Sequence, residues 1–74
     1  MLAMDAVKQV MKLKQVRPTD ICESLGIKSN VLSERFKQKN VSITKLNEML
    51  ALMGYKIAMV PADTELPDGS FEVE

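Results

Sequence analysis

The sequence predicts a mainly α fold of four short helices followed by one C-terminal β-strand. Apolar residues recur at helical spacing from Ala3 to Lys14, and proline, glycine and serine mark helix ends between residues 16 and 54. Residues 55–60 alternate in the manner of a strand. At 74 residues the chain forms one domain, and a domain of this size buries only about 60% of the surface that its unfolded chain exposes. We therefore expect a second copy to add stability.

Composition argues against an enzyme. The chain has one cysteine, Cys22, and no histidine, so it cannot assemble the usual zinc ligands or an internal disulfide. It also has no glycine-rich phosphate loop and no nucleophile beside a base. The segment Met1–Asp5 is neither basic nor followed by a long apolar run, which predicts neither a signal peptide nor a membrane span. We expect a soluble, cytoplasmic protein without metal or cofactor.

The net charge of zero conceals an uneven distribution of charge. Residues 1–60 hold all ten Lys and Arg and five acids, a net charge of +5, whereas residues 61–74 hold five acids and no base, a net charge of −5. A basic body with an acidic tail is typical of a protein with a polyanionic partner, although a solvated surface with a solubilising tail gives the same pattern.

The second helix has recognisable start and stop signals. Pro18 suits the first helical position, and Asp20 then lies in the first turn, where a negative charge complements free N–H groups. Val16 and Ile21 have the spacing of a hydrophobic staple. Gly26 can adopt the left-handed conformation that ends a helix. This predicts a helix of about two turns, too short to be stable alone.

The third helix is predicted from Ser29 to Gln38, with Lys28 or Ser29 as its N-cap. Leu32 and Phe36 lie one turn apart on its inner side. The residues predicted to face away from them are polar or charged: Ser29, Asn30, Ser33, Glu34 and Lys37.

Ser42 is predicted to cap a fourth helix that Gly54 stops. Its inner residues are predicted to be Ile43, Leu46, Leu50 and Met53. The helix pattern also places Cys22 in the core, together with Met11, Met49 and Met53 as core or interface residues.

The strand is predicted at Tyr55–Val60 and ends at Pro61. A lone strand needs a neighbour for its backbone groups. One candidate is the same strand of a second chain, which would make Tyr55, Ile57 and Met59 a dimer interface. The other is residues 70–73, returning through a turn at Asp68 and Gly69, although the intervening loop is long for a hairpin. Residues 1–60 would thus form the domain, and residues 61–74 an acidic tail that is loosely ordered or forms a short extra strand.

A two-turn helix, a glycine turn and a second helix with one free face make this sequence similar to a known family. It resembles the phage Cro and repressor type, also called the XRE type, of helix-turn-helix DNA-binding proteins, from about Val16 to Gly54. The resemblance rests on Ile21-Cys22-Glu23-Ser24-Leu25-Gly26-Ile27, Val31-Leu32-Ser33, Asn40-Val41-Ser42-Ile43, Leu46 and Met53-Gly54. It implies a four-helix lambda-repressor-like domain whose third helix enters the major groove of double-stranded DNA.

Carried onto matching positions, the resemblance implies that Ser29, Asn30 and Ser33 contact base edges. Their chemistry agrees, because Asn can pair bidentately with adenine and Ser can donate or accept. The family usually has Ser-Gln at the start of the first motif helix, with Gln on a phosphate. This chain has Arg17-Pro18 there, and Arg17 can take over that phosphate contact.

Basic side chains crowd around the proposed reading helix. Lys28, Arg35, Lys37, Lys39 and Lys45 fall within eighteen residues, opposed by Glu34 alone. We expect such side chains to contact phosphates, with Asn40 as a further donor. The sequence thus predicts a dimeric DNA-binding regulator, most simply a repressor. An alternative is an antitoxin-like or other protein-interaction module on the same scaffold, which binds a partner protein through the acidic tail or the strand and has secondary or no DNA binding.

Overall fold

Four helices make up the regular secondary structure of residues 1–73, the part of the chain that the computed structural model describes. They are α1 (Ala3–Lys14), α2 (Pro18–Leu25), α3 (Ser29–Lys37) and α4 (Ile43–Ala51). The predicted helices are confirmed, although α4 ends three residues before Gly54 and turns fill the interval. Glu74, the last residue of the predicted tail, lies outside the described residues. None of the helices is long and apolar enough to cross a bilayer.

The core is built on the inner side of α1, which packs against α3 and α4, while α2 packs against α3. Met11, Met49 and Met53 were predicted to be core or interface residues, and all three are buried in the core. The core cluster consists of Met4, Val7, Val10, Met11, Ile21, Leu32, Met49, Leu50 and Met53. Each of the four helices, or the turn that follows it, contributes to this single cluster, so α3 is held from several sides through Leu32.

The connection from α2 to α3 is a three-residue turn. Gly26 has φ +66°, the left-handed conformation predicted for it, and the N–H of Ile27 donates to the Cys22 carbonyl at 3.0 Å. Lys28 is the N-cap of α3 but supplies no side-chain hydrogen bond. Pro18 begins α2 as predicted. The predicted Ser42 cap is also confirmed, because its hydroxyl accepts the Lys45 N–H at 3.2 Å.

Two predicted core positions are wrong. Ile43 is 73% exposed, because it lies one turn before Leu46, which is itself only half-buried at the margin of the core. Cys22 is half-buried rather than buried. It packs against the core on one side and lines an open hollow between α2 and α3 on the other.

The predicted β-strand at 55–60 is not seen, and no β-strand occurs within residues 1–73. A strand requires a paired neighbour, and residues 70–73 form no ladder with this segment. The chain does turn back before them, since Gly69 has φ +85° and the Ser70 N–H donates to the Pro67 carbonyl at 3.1 Å. The contact with the C-terminal segment is made by side chains. The Tyr55 hydroxyl donates to the Gly69 carbonyl at 2.8 Å, and its ring lies 6.2 Å from that of Phe71.

Candidate nucleic-acid interface

The exposed side of α3 carries the three residues predicted to contact bases. Ser29, Asn30 and Ser33 are all exposed, and the only buried residue of α3 is Leu32. The core therefore holds the helix by one side and leaves polar groups on the other uncovered. Ser29 and Ser33 also border the hollow between α2 and α3, so they lie nearer to Leu32 and Phe36 than the sequence pattern predicts.

Basic side chains surround this helix, and we call Lys28, Lys37, Lys39 and Lys45 the lysine rim. All four are exposed, as is Asn40 in the connection to α4. Within residues 1–73, Lys28, Lys39 and Lys45 form no ion pair. Lys37 lies 3.6 Å from the Glu34 carboxylate, with both side chains over 70% exposed, and a pair so hydrated contributes little. The lysine rim thus presents positive charge that the chain itself leaves largely unneutralised.

Arg17, another predicted phosphate ligand, already has an acidic partner. Its Nη2 lies 3.2 Å from Asp20 Oδ1, and its backbone N–H donates to Asp20 Oδ2 at 2.9 Å. The backbone hydrogen bond, followed by that of the guanidinium, lowers the pKa of Asp20, and the same carboxylate raises the pKa of Arg17. A phosphate approaching Arg17 must compete with Asp20, so we expect Arg17 to contribute less than the lysine rim.

Acidification is expected to weaken the start of α2. Because the folded pKa of Asp20 lies below its ordinary value of 3.8, its ionised form stabilises the folded chain above that value, and this is lost as pH falls through the lowered pKa. Asp20→Asn keeps an oxygen for the Arg17 N–H but does not titrate. We therefore expect the variant to lose slightly less thermal stability than wild type between about pH 5 and about pH 2. The matched change Asp63→Asn should leave the acid loss unaltered, and equal losses in all three proteins would contradict the role of Asp20.

Arg35 does not belong to the exposed basic set in which the sequence places it. Its side chain is 12% exposed, and Nη1 lies 3.8 Å from Glu48 Oε2 on α4. Nη1 is buried and donates to no hydrogen-bond acceptor within residues 1–73. The partial burial of Arg35 could have been predicted from its spacing, because Arg35 follows buried Leu32 by three residues and so lies on the same side of the helix. Arg35 links α3 to α4 and is not available to a phosphate.

The predicted dimer residues lie away from α3, in the segment that follows α4. Tyr55 is half-buried and has the Lys14 ammonium 5.9 Å from its ring centre. Ile57 is 40% exposed and Met59 fully exposed. A groove of about 870 Å³ separates this segment from α1 and α4. The structure therefore leaves apolar side chains uncovered at two of the three predicted positions.

Comparison of this chain with protein-family models, with curated proteins and with solved structures finds no match. The function of this chain must therefore be inferred from the site itself: a short polar helix face, the lysine rim and an uncovered apolar segment.

Proposed function

We propose that this protein is a sequence-specific, double-stranded DNA-binding regulator that acts as a dimeric repressor through a helix-turn-helix of the Cro and repressor type. The observation that carries this proposal is the exposure of Ser29, Asn30 and Ser33 on a helix flanked by the lysine rim, three of whose four lysines have no acidic partner within residues 1–73. A single α-helix fits the major groove, where base edges differ between all four base pairs.

In the proposed mechanism, α2 braces α3 across the Gly26 turn while α3 enters the groove. The lysine rim and Asn40 contact phosphates and supply affinity without sequence information. Asn30 pairs with a base edge, for which adenine is the best match, and the two serines contact neighbouring edges. Two copies present their α3 helices about 34 Å apart, one turn of DNA, to a near-palindromic site. Occupying a promoter in this way blocks transcription.

The test of the proposal is a fluorescence-anisotropy titration of a mixed-sequence 24-bp duplex at about 50 mM and about 200 mM salt. Four or five phosphate contacts predict a log–log salt slope of about −4, so affinity should fall on the order of 100-fold between the two conditions. Absence of binding at the lower salt concentration, or equal affinity at both, would reject DNA binding.

Residues of the reading surface and of the lysine rim are expected to behave differently. Asn30→Ala should cost about 1–3 kcal/mol on a selected site and little on unrelated DNA, because a base contact is lost. Lys39→Ala should weaken binding to both DNAs alike and make the salt slope shallower by about 0.9. The measurement, made for each variant, is the ratio of the dissociation constant for unrelated DNA to that for the selected site. If both variants change that ratio equally, the division of roles is wrong.

Dimerisation is proposed through the segment that holds Tyr55, Ile57 and Met59. Met59→Asp is expected to raise the dimer dissociation constant at least about 10-fold, since it places a charge in an apolar contact. Ala58→Asp is the matched control, because it adds the same charge one residue away at a position that is not among the predicted interface residues. Sedimentation equilibrium of both variants checks this. A dimer that survives Met59→Asp, or that Ala58→Asp disrupts equally, would require another interface.

A protein-interaction module is the second candidate function, favoured by the uncovered Ile57 and Met59 beside an acidic tail. An antitoxin-like protein would use such a surface to bind a partner protein. The salt titration separates the two functions, because a module without DNA contacts gives no salt-dependent binding at all.

A further inference from the structure

The hollow between α2 and α3 is lined by buried or half-buried apolar side chains and by exposed polar ones, Glu23 among them. It has a volume of about 330 Å³. Its apolar lining includes Leu32, which is 1% exposed, and half-buried Cys22 and Phe36. Exposed Ser29 and Ser33 stand along the α3 side. Since both serines belong to the proposed reading surface, a helix seated in the major groove brings the hollow against base edges.

The major groove offers one apolar group among its base edges, the C5-methyl of thymine. On the thymine edge this methyl lies next to O4, a hydrogen-bond acceptor. The protein presents the complementary pair: serine hydroxyls that can donate, next to the apolar side chains of the hollow. Cytosine lacks both the methyl and the acceptor in that place, and adenine and guanine lack the methyl.

We propose that this hollow receives thymine C5-methyl groups and makes thymine a preferred base beside the Asn30 contact. The inference rests on the proposed DNA binding and adds a specificity determinant to it. Cys22 acts in it as an apolar wall, without covalent chemistry. The hollow is wider than one methyl group, so methyls of neighbouring thymines fit it in more than one register.

The experiment measures how tightly the full chain binds two 24-bp DNA duplexes. One alternates deoxyadenosine with thymidine (A–T), and the other alternates deoxyadenosine with deoxyuridine (A–U). The duplexes have the same phosphates and the same polar groups in the major groove, and differ only in the C5-methyl. We expect the A–T duplex to bind about four-fold more tightly for each methyl buried, with the same salt slope for both. Equal affinities overturn the inference and leave DNA binding standing. Failure of both duplexes to bind rejects the proposed function as well.

Substitutions that fill the hollow test whether the thymine methyl groups bind there. Cys22→Leu should bring the A–T over A–U ratio close to one, whereas Cys22→Ser, of nearly unchanged size, should keep at least half of that ratio. Thr19→Leu, at an exposed position lining the same hollow, gives a second filled variant if Cys22→Leu melts below the assay temperature. An undiminished ratio in a folded filled variant means that the methyl is recognised elsewhere, and the inference fails.

Discussion

Leu32→Ala is expected to lower the free energy of unfolding by about 3 kcal/mol. Leu32 is 1% exposed and belongs to the single core cluster that joins all four helical segments. Its removal leaves a cavity in a domain whose whole stability is about 4–10 kcal/mol at this chain length. Urea unfolding followed by far-UV circular dichroism measures the loss as a lower midpoint at an unchanged slope.

The neighbouring residue provides the control for this substitution. Val31 is 40% exposed, so Val31→Ala removes methyl groups from the same helix without opening a cavity. We expect it to cost less than about 1 kcal/mol. Equal destabilisation by both changes would mean that α3 is not anchored through Leu32. It would also contradict the assignment of the opposite side of α3 as the side exposed to DNA.

The helix boundaries were predictable because their signals are local. Pro18, Gly26 and Ser42 each satisfy or release backbone groups within a few residues of themselves, so the sequence alone determines what they do. The helical period places Asn30 on the exposed side of α3, because Leu32 fixes which side is buried. Ser29 and Ser33 instead line the hollow together with Leu32, so their exposure depends on that hollow being open.

The predictions that were wrong concern contacts between distant parts of the chain. A strand pattern at 55–60 states a preference for extended backbone, but pairing depends on a partner strand, and the returning segment meets Tyr55 through side chains instead. Ile43 has the right spacing for the core but lies beyond its margin. Which turns of a helix are covered by its neighbours depends on the tertiary structure, and the spacing of apolar residues does not reveal it.

Charged residues were harder to place than polar ones. Arg17 and Asp20 stand three apart, a spacing at which oppositely charged side chains meet on a helix, so their pair could have been inferred. The Arg35–Glu48 contact could not, because it joins two helices whose relative position the sequence does not reveal. The sequence therefore could not show that Arg35 is absent from the lysine rim, and only the structure shows it.

Replacing Lys28, Lys39 and Lys45 together by glutamine is expected to weaken binding to any DNA on the order of 100-fold at about 100 mM salt. None of the three has an ion-pair partner within residues 1–73, so each is free to release a counterion from a phosphate. Losing three contacts should make the log–log salt slope shallower by about 2.7. Sequence preference should stay unchanged, because phosphates carry no sequence information.

The control has the same change in net charge at other positions: Lys12, Lys14 and Lys56 replaced by glutamine, all exposed and outside the lysine rim. Because Lys14 and Lys56 lie at the proposed dimer segment, sedimentation equilibrium must first show that this variant dimerises like wild type. Because the whole chain has a net charge of zero, it has no overall attraction to DNA, and affinity must depend on where its lysines stand. We expect the control to lose less than about five-fold, since screened charges act weakly beyond about 10 Å. Equal losses in the two triple variants would mean that total charge governs binding, and α3 with its lysine rim would no longer be the interface.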